Sequence, residues 1–366
     1  MGKRKFMSTR VLKPGIRIDQ SIIAKDGRIL IQKGTILDDF QIDYLLTQGI
    51  MGIYIYEGVP DLDEQQLNIS AATQRVIEQN RREDPVKVSL SESVRKQVGE
   101  GISHLFRNTE SSDFTKASNT IASELENTII NNDAIAVDIR ELKVSDEYTF
   151  RHSVDVATIS LIIGKKLGLK SEQLHELGMA GLLHDIGKSR IPLEILNKPG
   201  KLTEEEFEIM KLHSTYGYKI LKEKNQFSPQ VLLGVLQHHE KLSGRGYPMG
   251  NQGNMIHLYG RIISVADIFD ALVTKRPYKE PYGQREAMEI LLAMGDDLDI
   301  NILTAFKKSM ILYPVDSIVK LSNGKLAKVV KNHPDYPMRP TVVELDTGRV
   351  LDLYGDFKCN SLVLES

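Results

Sequence analysis

The sequence predicts an α+β multidomain fold, with an all-helical centre flanked by a small N-terminal β-rich module and a small C-terminal β module. Three observations carry this. The apolar period is that of strands up to about residue 60, that of helices from about 69 to 312, and that of strands again after Pro314. Asp-Gly and Asn-Gly turn signals fall in the flanks, at Asp26-Gly27 and Asn323-Gly324. The 366 residues suit more than one domain at about 150 residues each, and 41% hydrophobic against 26% charged residues is a globular balance. The expected division is a β-rich module over 1–60, a helical linker or regulatory segment over 61–111, a helical domain over 112–312 and a β module over 313–366.

In the first module Lys25-Asp26-Gly27-Arg28 joins the β-rich runs 21–23 and 29–31 as a hairpin. A short helix over 39–48 stops before Gly49, and 50–56 alternates as a strand. Helices are expected at 71–82, 94–106 and 113–131. In the last, Ala117, Ile121, Leu125 and Ile129 form one i, i+4 stripe. Further helices are expected at 154–167, 171–184, 203–222, 229–239, 258–274 and 283–293, with no strand between 69 and 312. Thr203 followed three residues later by Glu206 is a capping box. Strands follow at 317–321, 326–330, 341–345 and 350–353, separated by turn residues.

A net charge of −2, from 47 basic and 49 acidic residues, gives no global field for a nucleic-acid polymer. The last module carries equal numbers of basic and acidic residues, which argues against a polymer-binding β module. The one cysteine, Cys359, excludes an internal disulfide and a Cys-based zinc site. No apolar run approaches the roughly 20 residues needed to cross a bilayer, and no apolar segment follows the basic Lys3-Arg4-Lys5. The expectation is a cytoplasmic protein with no membrane span.

The nine histidines are the informative residues. His184-Asp185 and His238-His239-Glu240 each end an apolar helical run, and Asp267 and Asp270 lie inside another. Two carboxylates in such a helix are costly unless something positive pairs with them. Imidazole with carboxylate suits iron, manganese, zinc or nickel, and without a contiguous zinc signature the ligands must converge from separate helices. His104, His175, His257 and His333 read instead as caps or core-edge residues.

These stretches resemble the HD-GYP family, a branch of the HD phosphohydrolase superfamily. The matching segments are Tyr148-Thr149-Phe150-Arg151-His152-Ser153, His184-Asp185-Ile186-Gly187-Lys188, Pro192, His213, His238-His239-Glu240, Gly244-Arg245-Gly246-Tyr247-Pro248, Asp267-Ile268-Phe269-Asp270-Ala271-Leu272 and Arg276-Pro277-Tyr278. They cover about 148–280. The resemblance implies a helical HD-type domain over 112–312 that hydrolyses cyclic di-GMP with two or three metals, commonly iron or manganese. It implies that Asp185 bridges the metals, that His152, His184 and Asp267 complete one set of ligands, and that His213, His238 and His239 hold the second. It places Lys188 on the scissile phosphate, and Arg276 and Tyr278 on the substrate side. One position departs: some members have a glutamate four residues before the first histidine, where this chain has Tyr148. Neutral tyrosine does not replace a carboxylate, so two divalent transition metals per chain are expected.

The residue types support that chemistry. Two metals can acidify a water and neutralise charge on the transition state of a phosphodiester. Lys188 adds a point charge beside the phosphate, and Arg276 a bidentate fork for a phosphate or a guanine edge. Tyr278 and Tyr282 beside Arg276 and Lys279 make a stacking and charge platform suited to a small nucleotide. Gly244–Pro248 reads as a constrained turn that either positions the His-His-Glu segment or meets a regulatory partner. A homodimer, and regulatory contacts through the terminal modules, are compatible with the flanks. The leading expectation is a phosphodiesterase that opens cyclic di-GMP to linear pGpG, with GMP as a further product. The alternatives are a phosphodiesterase for another cyclic dinucleotide and a non-catalytic nucleotide-binding signalling module.

Overall fold

The computed structural model describes residues 69–85, 92–130, 137–138, 148–274 and 281–365, together with 3–9, 12, 16, 18, 20–23, 29–31, 35, 37 and 39–57 of the first stretch. It forms two compact units, Met1–Ala71 and Ala72–Ser366.

In the first unit β1 (Lys3–Ser8) pairs antiparallel with β4 (Gly52–Glu57), and the short strands β2 (Ile22–Ile23) and β3 (Ile29–Ile31) pair antiparallel as the hairpin pattern requires. The residues of the expected hairpin turn lie outside the described residues. Helix α1 (Asp39–Thr47) ends before Gly49, whose φ of 70° is the left-handed geometry glycine adopts without penalty. Ile18, Leu37, Leu45, Ile53 and Ile55 are among the buried residues of this unit's own apolar core.

The second unit is a helical body carrying a small sheet. Helices α2 (Ala71–Asn80), α3 (Glu92–Arg107) and α4 (Phe114–Ile130) precede α5 (Tyr148–Lys166), α6 (Ser171–Leu183), α7 (Leu193–Leu196), α8 (Glu204–Glu223), α9 (Pro229–Gln237), α10 (Leu258–Val273), α11 (Gln284–Ala293) and α12 (Ile300–Ser309). One apolar core runs through α3 to α6 and α8 to α12, with Phe269 and Phe306 in edge contact at 4.8 Å. The capping box at α8 forms as expected: Thr203 accepts from Glu206 N at 3.2 Å, and Glu206 accepts from Thr203 N at 2.7 Å.

Three expectations for this region need correction. Helix α5 starts at Tyr148 and not at 154, because Arg151 lies 3.6 Å from Asp155 one turn on and sustains a turn whose apolar period is weak. Helix α12 was not expected, since Gly295 and three aspartates precede it, but Asp299 caps it by accepting from Asn301 N and Ile302 N. The region is not free of strands: β5 (Val137–Asp138) and β6 (Met310–Ile311) pair in parallel. Two-residue strands carry no readable period.

After them β7 (Ile318–Lys320), β8 (Leu326–Lys331), β9 (Thr341–Glu344) and β10 (Val350–Asp352) form an antiparallel sheet in the order β10-β9-β8-β7, over a core including Leu321, Val329, Val342 and Leu353. The segment after α2 is bound to this sheet. Arg81 makes a fork to Asp316 at 2.8–3.2 Å, Arg82 N donates to Val330 O at 2.8 Å, and Asp84 accepts from Val315 N and Asn332 Nδ2. Among the described residues no helix is long and apolar enough to cross a membrane.

Candidate active site

Five helices converge on one buried point. Helix α5 supplies His152 and α8 supplies His213. Helix α6 ends on its C-cap His184, and Asp185 follows as the N-cap of a 3-10 turn, Ile186–Arg190, that carries Lys188. Helix α9 ends on its C-cap His238, followed by His239, and α10 supplies Asp267 and Asp270. Gly187 allows the 3-10 turn to lie against α8: a Cβ there would stand 1.9 Å from His213 O and 2.4 Å from Gly217 N.

Three histidines are aimed by the same device. Nδ1 of His184, His213 and His238 each faces a backbone carbonyl three residues earlier, Gly181 O, Met210 O and Val235 O, at 2.7 Å. A carbonyl only accepts, so each Nδ1 donates, and each Nε2 presents a lone pair. For His184 and His238 the carbonyls belong to the last helical turn, where no intrahelical partner follows.

His152 is set differently. Its Nδ1 lies 2.7 Å from Asp270 Oδ2, while its Nε2 lies 3.1 Å from Asp267 Oδ1 and 3.8 Å from Asp185 Oδ2. Asp185 looks both ways. Its Oδ2 is 3.4 Å from His184 Nε2, and its Oδ1 is 3.4 Å from His213 Nε2. Asp267 also spans the site, with Oδ2 3.7 Å from His239 Nδ1. Lys188 Nζ lies 2.5 Å from Asp185 Oδ2.

The electrostatics follow from burial and proximity. Burial holds His213 and His238 below the ordinary imidazole range and brings His239 down to about 3, so all three are neutral donors near neutral pH. Burial opposes ionisation of Asp185, but Lys188, His184 and His213 overcome it and hold the carboxyl well below its usual range. Burial likewise opposes ionisation of Asp267, and His152 with His239 prevails. Burial disfavours a proton on His152, yet its hydrogen bonds to Asp267 and Asp270 raise it to about 10. A cation held at Nε2 would take the place of that proton.

Divalent cations fit this donor set. His213 Nε2 and His238 Nε2 are 3.2 Å apart with both Nδ1 protons committed to carbonyls, so two lone pairs face each other. His184 Nε2 and Asp185 Oδ1 are buried without a hydrogen-bond partner. Such groups are costly unless something positive lies between them. Ligand atoms of His152, His184 and Asp185 lie within 4.8 Å of one another, as do those of His213, His238 and His239.

The Gly244–Pro248 turn supports this centre from outside. The Tyr247 ring lies 4.6 Å from that of His239 at 31°, and 6.3 Å from that of His213. Gly246 has no room for a side chain, because a Cβ would stand 2.4 Å from Lys241 N. Glu240 accepts from Met249 N and Asn251 N, and Asp297 pairs with Lys241, Ser243 and Arg245 at 2.5–2.9 Å.

The structure thus brings together His152, His184, Asp185, Lys188, His213, His238, His239 and Asp267. Arg276, Tyr278 and Lys279 lie outside the described residues, while Tyr148 is the first residue of α5. Asp270 was readable as a carboxylate in an apolar helix, but its hold on His152 was not. His104, His175, His257 and His333 stand apart from the centre. His257 accepts from Tyr259 N, His175 meets Glu126, His333 meets Thr341, and His104 meets Asn108.

Comparison with known proteins identifies the family. Residues 121–302 match the family model described as HD domain. A cyclic di-GMP phosphodiesterase of Pseudomonas aeruginosa is 33% identical over 291 residues, covering 77% of this chain and 70% of the relative. A cyclic di-GMP phosphodiesterase of Thermotoga maritima is 44% identical over 167 residues, covering 44% of this chain and 45% of that protein. A 3′3′-cGAMP-specific phosphodiesterase of Vibrio cholerae is 41% identical over 152 residues, covering 40% of this chain and 33% of that protein. The chain therefore spans less than half the length of the latter two. The match over more than two thirds of the Pseudomonas relative, with His184-Asp185 at the buried centre and Gly246-Tyr247-Pro248 against it, establishes that this chain belongs to the HD-GYP branch of the HD-domain family.

Proposed function

We propose that this chain is a metal-dependent phosphodiesterase that hydrolyses cyclic di-GMP to linear pGpG. One observation carries the reading: the two oxygens of Asp185 face two separate groups of imidazoles, Oδ2 toward His184 and His152 and Oδ1 toward His213. A binding module has no need of a carboxylate shared between two ligand groups. In this reading His152, His184 and Asp267 would hold one divalent metal, His213, His238 and His239 would hold a second, and Asp185 would serve both. Iron and manganese suit this mixture of imidazole and carboxylate. When bound, such ions supply Lewis acidity toward a phosphodiester oxygen and toward the attacking water.

The chain's own residues do the remaining work. Carbonyl-anchored Nδ1 protons keep the imidazoles aimed. Lys188, partly exposed beside Asp185, places an ammonium at the mouth of the centre, where it offsets charge on the phosphate. Arg276, Tyr278 and Lys279, which follow α10 in sequence, are the further substrate contacts that the family resemblance implies.

The test is turnover of cyclic di-GMP by anaerobically purified protein loaded with Fe²⁺ or Mn²⁺, with products separated by chromatography and metals counted by elemental analysis. The expected result is pGpG with about two metals per chain. A metal-loaded protein that leaves cyclic di-GMP intact overturns the reading.

A further inference from the structure

An aromatic and cationic strip leads outward from the histidines along α8. Tyr247, which lies against His239, meets Phe207 edge-on at 6.4 Å and 82°. Lys211, one turn after Phe207 on α8, places Nζ 5.0 Å from the centre of the Phe207 ring and 5.9 Å from that of Tyr247. Glu208 pairs with the same ammonium at 2.5 Å.

Phe207 is 45% exposed. Exposure alone says little here, because Ile209 and Leu212 on the same helix are also exposed. What separates Phe207 is its setting. It is two ring contacts from a candidate metal ligand, and it shares a cation with the tyrosine of the Gly-Tyr-Pro turn. No core packing requires an aromatic ring there, since Phe207 lies outside the buried cluster of the helical body.

We propose that Phe207, Lys211 and Tyr247 form the subsite for one guanine base of the substrate. The proposal rests on the cyclic di-GMP reading above. A purine offers a flat π-face to the exposed Phe207 ring, a contact indifferent to base identity. Selection falls to Lys211. Guanine carries two adjacent acceptors, O6 and N7, on one edge, where adenine pairs N7 with an amino donor. An ammonium has three donors and no acceptor, so it favours the guanine edge and meets a like donor on adenine. Glu208 keeps the ammonium on this face of α8 and leaves it donors to spare. Tyr247 then has two duties, bracing His239 on one side and bordering the base on the other.

The experiment compares steady-state constants of the metal-loaded protein on cyclic di-GMP, cyclic di-AMP and bis(p-nitrophenyl) phosphate, which carries no base. Phe207→Ala is expected to raise KM for cyclic di-GMP about tenfold with kcat within about threefold, a loss in the range of one base stack. The ratio of kcat/KM for cyclic di-GMP to that for bis(p-nitrophenyl) phosphate falls by about the same factor. Phe207→Tyr keeps the ring and brings KM back to within about twofold of the parent. Lys211→Met keeps the stem, removes the donors, and narrows the preference for cyclic di-GMP over cyclic di-AMP at least about fivefold. Thermal melting and metal content of each variant show whether a loss comes from the fold. An unchanged KM in Phe207→Ala, or equal losses on the dinucleotide and the base-free ester, overturns the subsite. A parent that cleaves the base-free ester but no cyclic dinucleotide overturns the substrate reading and the subsite with it. That outcome is distinct from an active parent whose KM ignores Phe207.

Discussion

Asp270 Oδ2 lies 2.7 Å from His152 Nδ1, which turns the opposite ring nitrogen toward Asp267 and Asp185. Asp270 is thus to His152 what backbone carbonyls are to His184, His213 and His238, with a side-chain carboxyl in place of a peptide oxygen. Asp270→Asn should lower metal affinity about 10- to 100-fold, measured by competition with a chromophoric chelator. An affinity within twofold of the parent would show that the ring is held by packing alone.

Asp185→Asn should reduce turnover at least about 10³-fold and lower metal occupancy, since one carboxylate serves both imidazole groups. Activity within a few-fold of the parent would remove Asp185 from the centre.

Lys188→Ala removes the cation 2.5 Å from Asp185. The expected result is retained metal with kcat lowered on the order of 10²-fold. A lysine with only a structural role predicts a lower melting temperature and near-parent turnover per folded molecule, so both are measured on one preparation.

Gly187→Ala tests the packing that aims two ligands at once. Its Cβ would meet the backbone carbonyl of His213, which cannot rotate away as a side-chain end would. Overpacking of this kind costs about 1–3 kcal/mol. Calorimetry should show that loss, with weaker metal retention because the turn bearing Asp185 is displaced from α8. A variant as stable and as metal-rich as the parent would contradict the close approach.

The turn that carries Tyr247 is tied down by Asp297, whose carboxyl is held below its ordinary value of 3.8 by hydrogen bonds from Lys241, Ser243 and Arg245. A lowered folded value means that this stabilisation is complete above about pH 4 and is lost as the pH falls further. Asp297→Asn should therefore melt lower than the parent at pH 7, with the difference closing below about pH 4. A gap that persists unchanged into acid would assign the loss to packing.

The cluster of candidate ligands was legible because its chemistry is written in neighbouring positions. His184-Asp185 and His238-His239 close apolar runs, and a polar pair at the end of a buried helix asks for a partner. Asp267 and Asp270 were conspicuous in α10 for the same reason, but which faced a ligand histidine depended on the placement of α5. That placement was blurred, since the first turn of α5 rests on the Arg151–Asp155 pair and not on an apolar stripe. Gly187 and Gly246 were visible as glycines, but the backbone atoms they must clear come from segments that only folding brings close. Phe207 was invisible as a site residue, because an exposed aromatic beside Ile209 and Leu212 looks like ordinary surface until Tyr247 is placed against it. Strands β5 and β6 form through pairing at long range, and two residues cannot announce that.

The attachment of the segment after α2 to the C-terminal sheet sets an order of events during synthesis. Arg81 and Asp84 reach partners 231 to 248 residues further along the chain. While the ribosome works through the helices that hold the histidines, α2 has no sheet to bind, and contacts of such long separation are slow to close. The helices that hold the histidines can therefore pack among themselves first, and the segment after α2 gains its full set of partners only once Val330 and Asn332 have left the exit tunnel. A stalled or truncated product that ends before β8 would carry the candidate metal ligands intact and yet leave Arg82 N without Val330 O and Asp84 without Asn332.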